Sequence, residues 1–197
     1  MNIHKKKSRR VRRKKEDINK DLLSAARSEI LEKGFENITV ASIIKRADVQ
    51  ANVFYNRYKD QDDLFDVLIR PYEYWFEDKI KFLGETSIER LLNAMNSLID
   101  SVVKDKFMQQ ILIWEICCDN YLTNRMALKR ELYFNHYIKK HCKQDSDILD
   151  LYKISSFIIG GIYYFFIVRK NSNQIPISDI NNLKKQINSI ITGISHM

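Results

Sequence analysis

Apolar residues recur at helical spacing along most of the chain. Leu22, Ala26 and Ile30 lie four positions apart, and this period predicts a first helix over about 17–33. Gly34 follows directly, and glycine commonly ends a helix because it adopts left-handed backbone angles at little cost. The pattern therefore begins with one amphipathic helix that has a defined end.

Two short helices with a tight turn between them come next. Thr39 is a good N-cap for a helix over about 39–47, and a further helix over about 50–56 carries Phe54 on its apolar side. Asp48 lies between them, and aspartate accepts turn conformations better than most residues. Two short helices at this separation, after one helix and before a long one, are the layout of a helix-turn-helix.

The remaining pattern is also helical. A long fourth helix follows Asp60, and Pro71 lies inside it, which predicts a kink or a break near residues 67–70. Thr86 and Glu89 form a capping box at the start of the next helix. Further helices are predicted at about 106–118, 124–141, 147–170 and 178–194, the last with Ser178 as its N-cap. The prediction is an all-α fold of about nine helices.

Composition supports this fold class. The 197 residues include only five glycines and two prolines, which are few turn formers, and 45% of them are hydrophobic, which is enough for a core. Three cysteines do not make a disulfide framework, and no apolar segment follows the basic N-terminus as a signal peptide would require. The longest apolar run, 157–168, is too short to span a bilayer. We therefore expect a soluble cytoplasmic protein without a membrane segment.

The positive charge is confined to one end of the chain. The net charge is +8, but residues 1–15 hold nine basic residues and no acidic one, whereas 16–197 hold 24 basic and 25 acidic residues. Like charge at this density, without apolar periodicity, predicts an arm that is disordered until it meets a polyanion. We divide the chain into this basic arm (1–15), a helix-turn-helix domain (16–64) and a helical bundle (65–197).

The residue types of the helix-turn-helix indicate a family more specifically than the spacing of its helices does. The matching residues are LLSAA at 22–26, EKGFENITV at 32–40, Ile43, RADV at 46–49, FYNRYKD at 54–60 and DL at 63–64. On these residues the chain resembles, over roughly 18–66 and without gaps, the N-terminal DNA-binding domain of the TetR family of bacterial transcriptional regulators. The resemblance implies an all-helical homodimer that binds a palindromic operator. It also implies a variable C-terminal domain that binds a small molecule and then releases the DNA, as a repressor does.

Candidate DNA contacts follow from this layout. The second short helix would enter the major groove, where the amides of Gln50, Asn52 and Asn56 can read bases because they both donate and accept hydrogen bonds. Ala51 and Val53 would meet thymine methyl groups. Further DNA contacts are expected from Thr39, Val40, Ser42, Tyr55, Arg57 and Lys59, and in the arm from Arg9, Arg10, Arg12 and Arg13.

Three positions depart from the family pattern. Asp48 replaces the turn glycine, Gln50 replaces the serine that starts the recognition helix, and Gln61 replaces a lysine that would contact phosphate. Residues 16–64 hold seven basic and ten acidic side chains, so this domain is net acidic. Since affinity depends on phosphate neutralisation, we expect the arm to supply much of it. The arm would lie along the flanking backbone or in the minor groove, or act as a solvated polycation on any DNA.

The most apolar segment is expected at a dimer interface. Residues 155–166 are apolar nearly all round, so a helix there must be buried on both sides. With the last helix, this segment resembles the two-helix contribution of TetR-like proteins to a four-helix dimer interface, and an internal core helix is the alternative. The interface candidates are Phe157, Gly160, Gly161, Tyr164, Ile187 and Ile191.

Aromatic and sulfur-containing side chains are concentrated in the middle helices. They suit a pocket for an apolar or aromatic inducer, and equally an ordinary bundle core. Pro71 lies between these helices and the DNA-binding domain, so a kink there would couple the two. The pocket candidates are Tyr72, Trp75, Phe76, Phe107, Met108, Trp114, Cys117, Tyr121, Phe134 and Tyr137.

Other functions lack their motifs. The sequence shows no Gly-rich phosphate loop, nucleophile elbow, H-E-x-x-H or E-x-x-H pair, and its cysteines and histidines lack metal-ligand spacing. We therefore expect neither an enzyme, nor a cofactor, nor a bound metal. Two alternatives to a TetR-like repressor stay open: a nonspecific nucleic-acid or membrane-surface binder driven by the arm, and a small helical-bundle enzyme.

Overall fold

The computed structural model describes residues 14–142, 148–169 and 174–194. These residues form ten α-helices and two 3-10 segments, Phe35–Asn37 and Arg70–Tyr74, with no β-strand among them. The predicted all-α fold is therefore confirmed. The helices are α1 (Lys15–Lys33), α2 (Val40–Ala47), α3 (Ala51–Tyr55), α4 (Gln61–Ile69), α5 (Trp75–Lys79), α6 (Ser87–Lys104), α7 (Lys106–Cys117), α8 (Tyr121–His141), α9 (Ile148–Val168) and α10 (Ile177–Ile194).

Helices α1 to α4 form the part that we call the head. Gly34 ends α1 with φ of 80°, and its N–H donates to the Ile30 carbonyl at 2.8 Å. Thr39 caps α2, as predicted, by accepting from the Ser42 N–H while the Ser42 hydroxyl accepts from the Thr39 N–H. The head core consists of side chains with no exposed surface, including Leu22, Ala26, Ile30, Ile43, Phe54 and Leu64.

Pro71 breaks the predicted long fourth helix rather than bending it. The helix α4 ends at Ile69, the 3-10 segment Arg70–Tyr74 follows, and α5 begins at Trp75. Proline has no amide hydrogen to continue the α-helical ladder, and it is tolerated near the start of a new helical segment. The expected domain boundary between residues 64 and 65 lies inside α4.

Helices α5 to α10 form the part that we call the body. The predicted capping box at Thr86 and Glu89 starts α6. The cap of α8 is Asn120, so this helix begins three residues earlier than the expected residue 124. The prediction of Ser178 as an N-cap is wrong, because α10 already begins at Ile177 and the Asp179 and Ile180 N–H groups donate to the Pro176 carbonyl.

Two structural findings bear on the classes of protein considered above. No helix among the described residues is both long enough and apolar enough to cross a membrane. Within the same residues, His, Cys, Asp and Glu side chains form no group of three that could hold a metal ion. The predicted arm lies outside the described residues except for Lys14 and Lys15, and so do its candidates Arg9, Arg10, Arg12 and Arg13.

Candidate nucleic-acid interface and ligand cavity

The two helices α2 and α3 are joined by a turn with one left-handed residue. Asp48 has φ of 51° and ψ of 50°, and its N–H donates to the Lys45 carbonyl at 3.3 Å. The Val49 N–H donates to the Ile44 carbonyl at 3.2 Å, which completes the reversal of the chain. Aspartate adopts this conformation more readily than most residues other than glycine. Asp48 therefore adopts the left-handed conformation at the position where the family pattern has a glycine.

The recognition helix α3 is anchored by one aromatic residue and exposes the opposite side. Phe54 is fully buried, and its ring centroid lies 5.6 Å from that of Tyr58. This packing leaves α3 with a solvent-facing surface despite its length of five residues. The exposed predicted DNA contacts are Thr39, Gln50, Ala51, Asn52, Tyr55, Asn56 and Lys59, and the half-buried ones are Val40, Ser42, Val53 and Arg57.

The predicted phosphate contacts differ in whether their polar groups are already hydrogen-bonded within the protein. Tyr55 is 58% exposed, so its hydroxyl can reach beyond the protein surface. Arg57 instead folds back, and its Nη1 donates to the Val53 carbonyl at 2.9 Å near the end of α3. At Thr39 the backbone N–H is used by the Ser42 hydroxyl, so only the Thr39 hydroxyl proton is left for a phosphate. Lys59 and Tyr55 are thus the best placed of this group.

Arg46 holds the head together instead of facing DNA. Its Nε donates to Glu29 at 2.6 Å, and its Nη1 donates to Glu32 at 2.6 Å, so it joins α2 to α1. A hydrogen bond from Lys33, followed by those with Ser42 and Arg46, lowers the pKa of Glu29 to about 2 although burial opposes this. These contacts use positive charge that an acidic head would otherwise present to phosphate.

Gln61 has a structural contact where the family pattern has a lysine. Its Nε2 donates to the Ile38 carbonyl at 3.3 Å, which ties the start of α4 to the segment before α2. As expected for a poor cap, Gln50 at the start of α3 makes no side-chain capping bond. The contact of Gln61 could not be predicted from the sequence, because it links residues 23 positions apart.

Residues 22–68 match the model of a family described as bacterial regulatory proteins, tetR family. This match covers α2, the turn, α3, the last 12 of the 19 residues of α1 and all of α4 except Ile69, which are the elements of the head. The head is a TetR-family helix-turn-helix domain. The matched family is described as one of bacterial regulatory proteins.

Solved structures share this TetR-family fold over both head and body. A TetR-like transcriptional regulator from Rhodococcus sp. RHA1 has a TM-score of 0.65 at 16% identity, covering 94% of this chain and 100% of its own. FadR from Bacillus halodurans, a fatty acid degradation regulator, has a TM-score of 0.66 at 20% identity, with 92% and 97% covered. FadR from Bacillus subtilis, solved with stearoyl-CoA, has a TM-score of 0.61 at 18% identity, with 87% and 96% covered. None of the curated proteins matches the sequence.

The candidates for a TetR-like dimer interface fall on two different surfaces. Phe157 and Tyr164 are 79% and 67% exposed, and together with Gly160, Gly161 and the 58% exposed Val168 they follow one face of α9. We call these five residues the α9 stripe. Ile187 and Ile191 of α10 are instead buried within the chain, on the side of α10 where Lys184 and Asn188 bond to α6.

The pocket candidates do not line a common cavity in the described part of the chain. Trp75, Phe76, Phe107 and Met108 are buried in the core, Tyr72 and Tyr137 are half-buried, and Tyr121 is 75% exposed. Trp114 and Cys117 line a polar groove of about 660 Å³ between α7 and the end of α1. Phe134 lines a separate cavity of about 300 Å³ among α7, α8 and α9.

This smaller cavity contains charged residues that are not among the predicted pocket residues. Glu115 and Arg130 form an ion pair there, and Tyr163 of α9 lies beside them. One signal was present in the sequence: Leu122, Met126, Phe134 and Ile138 are apolar and four residues apart, with Arg130 in the same register. An arginine in the apolar register of a helix indicates a buried charge with a partner.

Proposed function

We propose that this TetR-family chain is a repressor that binds a palindromic DNA site as a homodimer and releases it when a small molecule occupies the body. The observation that carries the proposal is the exposed polar face of α3, where Gln50, Asn52 and Asn56 lie beside Tyr55. The core of the head is formed by other, buried side chains, so these exposed residues are available to contact DNA. Exposed amides on a helix of this kind can read base edges in the major groove.

The α9 stripe supports a two-fold partner. Phe157, Gly161, Tyr164 and Val168 follow one another at spacings of four, three and four, with Gly160 next to Gly161, so they form a single apolar band on one side of the helix. A groove beside it is lined by Gly161, Tyr164 and Val168 of α9 and by Asn182 and Gln186 of α10. A second copy would bury the apolar band and would place two heads for a symmetric site.

The two-domain division is part of the proposal. The head binds DNA, the body binds the partner chain and the small molecule, and the arm (1–15) adds sequence-independent affinity. The rings of Phe35 and Trp114 and the ion pair of Asp66 with Arg125 join head to body. A ligand in the body therefore has packed and charged contacts through which it can change the position of the head.

The test is to select fragments bound by the purified full chain from random DNA. We expect an enriched palindrome. Asn52→Ala should weaken binding to that palindrome by about 1–3 kcal/mol and relax the preference at one base position in each half-site. Asn181→Ala, which removes an exposed asparagine from α10, is the matched control and should bind like the unmodified protein. Binding to all fragments alike would refute the proposal and favour a nonspecific polyanion binder.

A further inference from the structure

The cavity among α7, α8 and α9 is lined by a pair of opposite charges. The side chains of Glu115 and Arg130 are each only 4% exposed, and they form an ion pair with each other. Burial disfavours the charged form and lowers the pKa of Arg130. A buried pair stabilises a fold only when its remaining polar atoms are also bonded, because both ions have lost their hydration.

Three polar atoms in this cluster lack such bonds. Glu115 Oε1, Arg130 Nη2 and the hydroxyl of Tyr163 are buried, and none of them makes a hydrogen bond of normal geometry with a described residue. The Arg130 guanidinium carbon lies 5.9 Å from the Tyr163 ring centroid, so the charge faces the tyrosine. A buried polar atom without a partner destabilises the fold, and three of them at one cavity indicate that something else bonds to them.

The arrangement of charges selects the chemistry of that partner. The charges of Glu115 and Arg130 cancel, so the wall carries no net charge from this pair to attract an ion. An anionic group that approached Glu115 Oε1 would be repelled, and Glu131 adds a second carboxylate to the lining. A neutral group that both donates and accepts can satisfy the three atoms together: it donates to Glu115 Oε1, and its oxygen accepts from the Tyr163 hydroxyl and from Arg130 Nη2.

The rest of the lining suits an apolar body. Ile116, Phe134 and Ile159 contribute hydrocarbon and aromatic surface from three different helices. The volume of about 300 Å³ is at the lower end of the range for small-molecule sites. The guest must therefore be small, with its polar group at the buried end.

We propose that this cavity binds a small molecule with an apolar body and a neutral head group that donates and accepts hydrogen bonds, as a primary amide does. We further assign it as the effector site, and that assignment rests on the function proposed above. Gly160 lines the cavity and also belongs to the α9 stripe, so a bound molecule lies against the helix that would meet the partner chain.

The experiment uses a matched series of ligands on the full chain at pH 7.5. The ligands are 4-phenylbutanamide, its carboxylate, its amine and its N,N-dimethyl amide, and isothermal titration calorimetry measures the Kd of each. We expect the amide to bind at least about tenfold more tightly than the other three, because each of them loses a bond or brings a charge. The dimethyl amide tests Glu115 without disturbing the ion pair, since it has no N–H to donate.

Two tyrosines, one inside the cavity and one outside it, provide the protein control. Tyr163→Phe removes only the hydroxyl in the cavity and should weaken amide binding about tenfold, whereas Tyr74→Phe removes an exposed hydroxyl outside the cavity and outside the α9 stripe and should leave binding unchanged. A far-ultraviolet circular dichroism spectrum confirms that both variants are folded. Three outcomes would overturn the site. They are tighter binding of the carboxylate or the amine than of the amide, an equal loss of amide binding in both variants, and no binding of any ligand at 10-fold excess over about 1 mM protein.

The test of the ligand site can be separated from the test of the proposed DNA-binding function. If the amide binds as expected but does not lower the affinity for the selected palindrome, the assignment as effector site is wrong and the binding site stands. If the palindrome is bound and no ligand binds, the site is wrong and DNA recognition stands.

Discussion

The ring of Phe35 lies parallel to the indole of Trp114, with their centroids 4.2 Å apart and their planes inclined by 6°. Phe35 belongs to the head, in the 3-10 segment after α1, and Trp114 belongs to α7 of the body. Phe65 of α4 meets both rings edge-on at 5.2 Å and 5.7 Å. Aromatic packing therefore fixes the head against the body at this point.

We expect Phe35→Ala to lower the free energy of unfolding by about 3–5 kcal/mol, because it removes a buried ring and leaves a cavity between three aromatic side chains. Urea denaturation followed by tryptophan fluorescence measures this. Leu83→Ala, which shortens a side chain that is 63% exposed, is the control and should change stability by less than about 0.5 kcal/mol. A similar small change for Phe35→Ala would show that the stack does not hold head and body together.

Acid stability should depend on Glu29. The pKa of this carboxyl is about 2 in the folded chain, against its usual 4.5, chiefly because Lys33 donates a hydrogen bond to it. A lowered folded pKa means that the contribution is fully present above pH 4.5 and is lost as the pH falls toward 2. The stability difference between the unmodified protein and Glu29→Gln should therefore be constant near neutrality and shrink on acidification. Glu16→Gln, at an exposed position of α1, should show no such trend.

The α9 stripe should determine the oligomeric state. Phe157→Lys places a charge at a position that is 79% exposed in one chain, so the fold of the chain should survive while a dimer would have to bury the charge. Analytical ultracentrifugation should show a dimer for the unmodified protein and a monomer for this variant, with weaker binding to the palindrome. Leu128→Lys on α8, at a position that is 56% exposed, should remain dimeric. A monomeric unmodified protein at micromolar concentration would exclude the proposed interface.

The basic arm should set the salt dependence of DNA binding. Deletion of residues 1–13 removes seven lysines and arginines and leaves α1 intact. Each phosphate contact contributes about 0.9 to the slope of log K against log salt, so the slope should fall by up to about 6 per chain. An arm of the same length made of glycine and serine controls for the loss of chain, and should behave like the deletion. An unchanged slope would mean that the arm does not contact DNA.

Local signals in the sequence predicted most of the fold. Thr39, Asp48 and Thr86 were predicted correctly because a cap or a turn depends on neighbouring residues, and Pro71 was recognised as an interruption. Helical spacing predicts the start of α8 three residues too late, because the cap is Asn120. It predicts the start of α10 one residue too late, because the Pro176 carbonyl, and not Ser178, accepts from the Asp179 and Ile180 N–H groups.

The candidate sites were harder to predict because they depend on contacts between distant residues. The family pattern indicated which residues of α3 are exposed, but not that Arg46 is engaged with Glu29 and Glu32 of α1. Aromatic composition alone could not separate core residues from cavity residues, since both are apolar. The cavity is marked instead by Glu115 and Arg130, which come together only when α7 and α8 pack.

The 3-10 segment Arg70–Tyr74 has a mechanical consequence for reading DNA. A 3-10 helix advances about 2.0 Å and turns about 120° per residue, against about 1.5 Å and 100° in an α-helix. If two of its residues changed from one form to the other, the connection would shorten by about 1 Å and one end would rotate by about 40° against the other. Across a two-fold axis the two heads would turn together. The distance between the two copies of α3, and not the strength with which either copy binds DNA, would then determine whether the dimer fits successive major grooves.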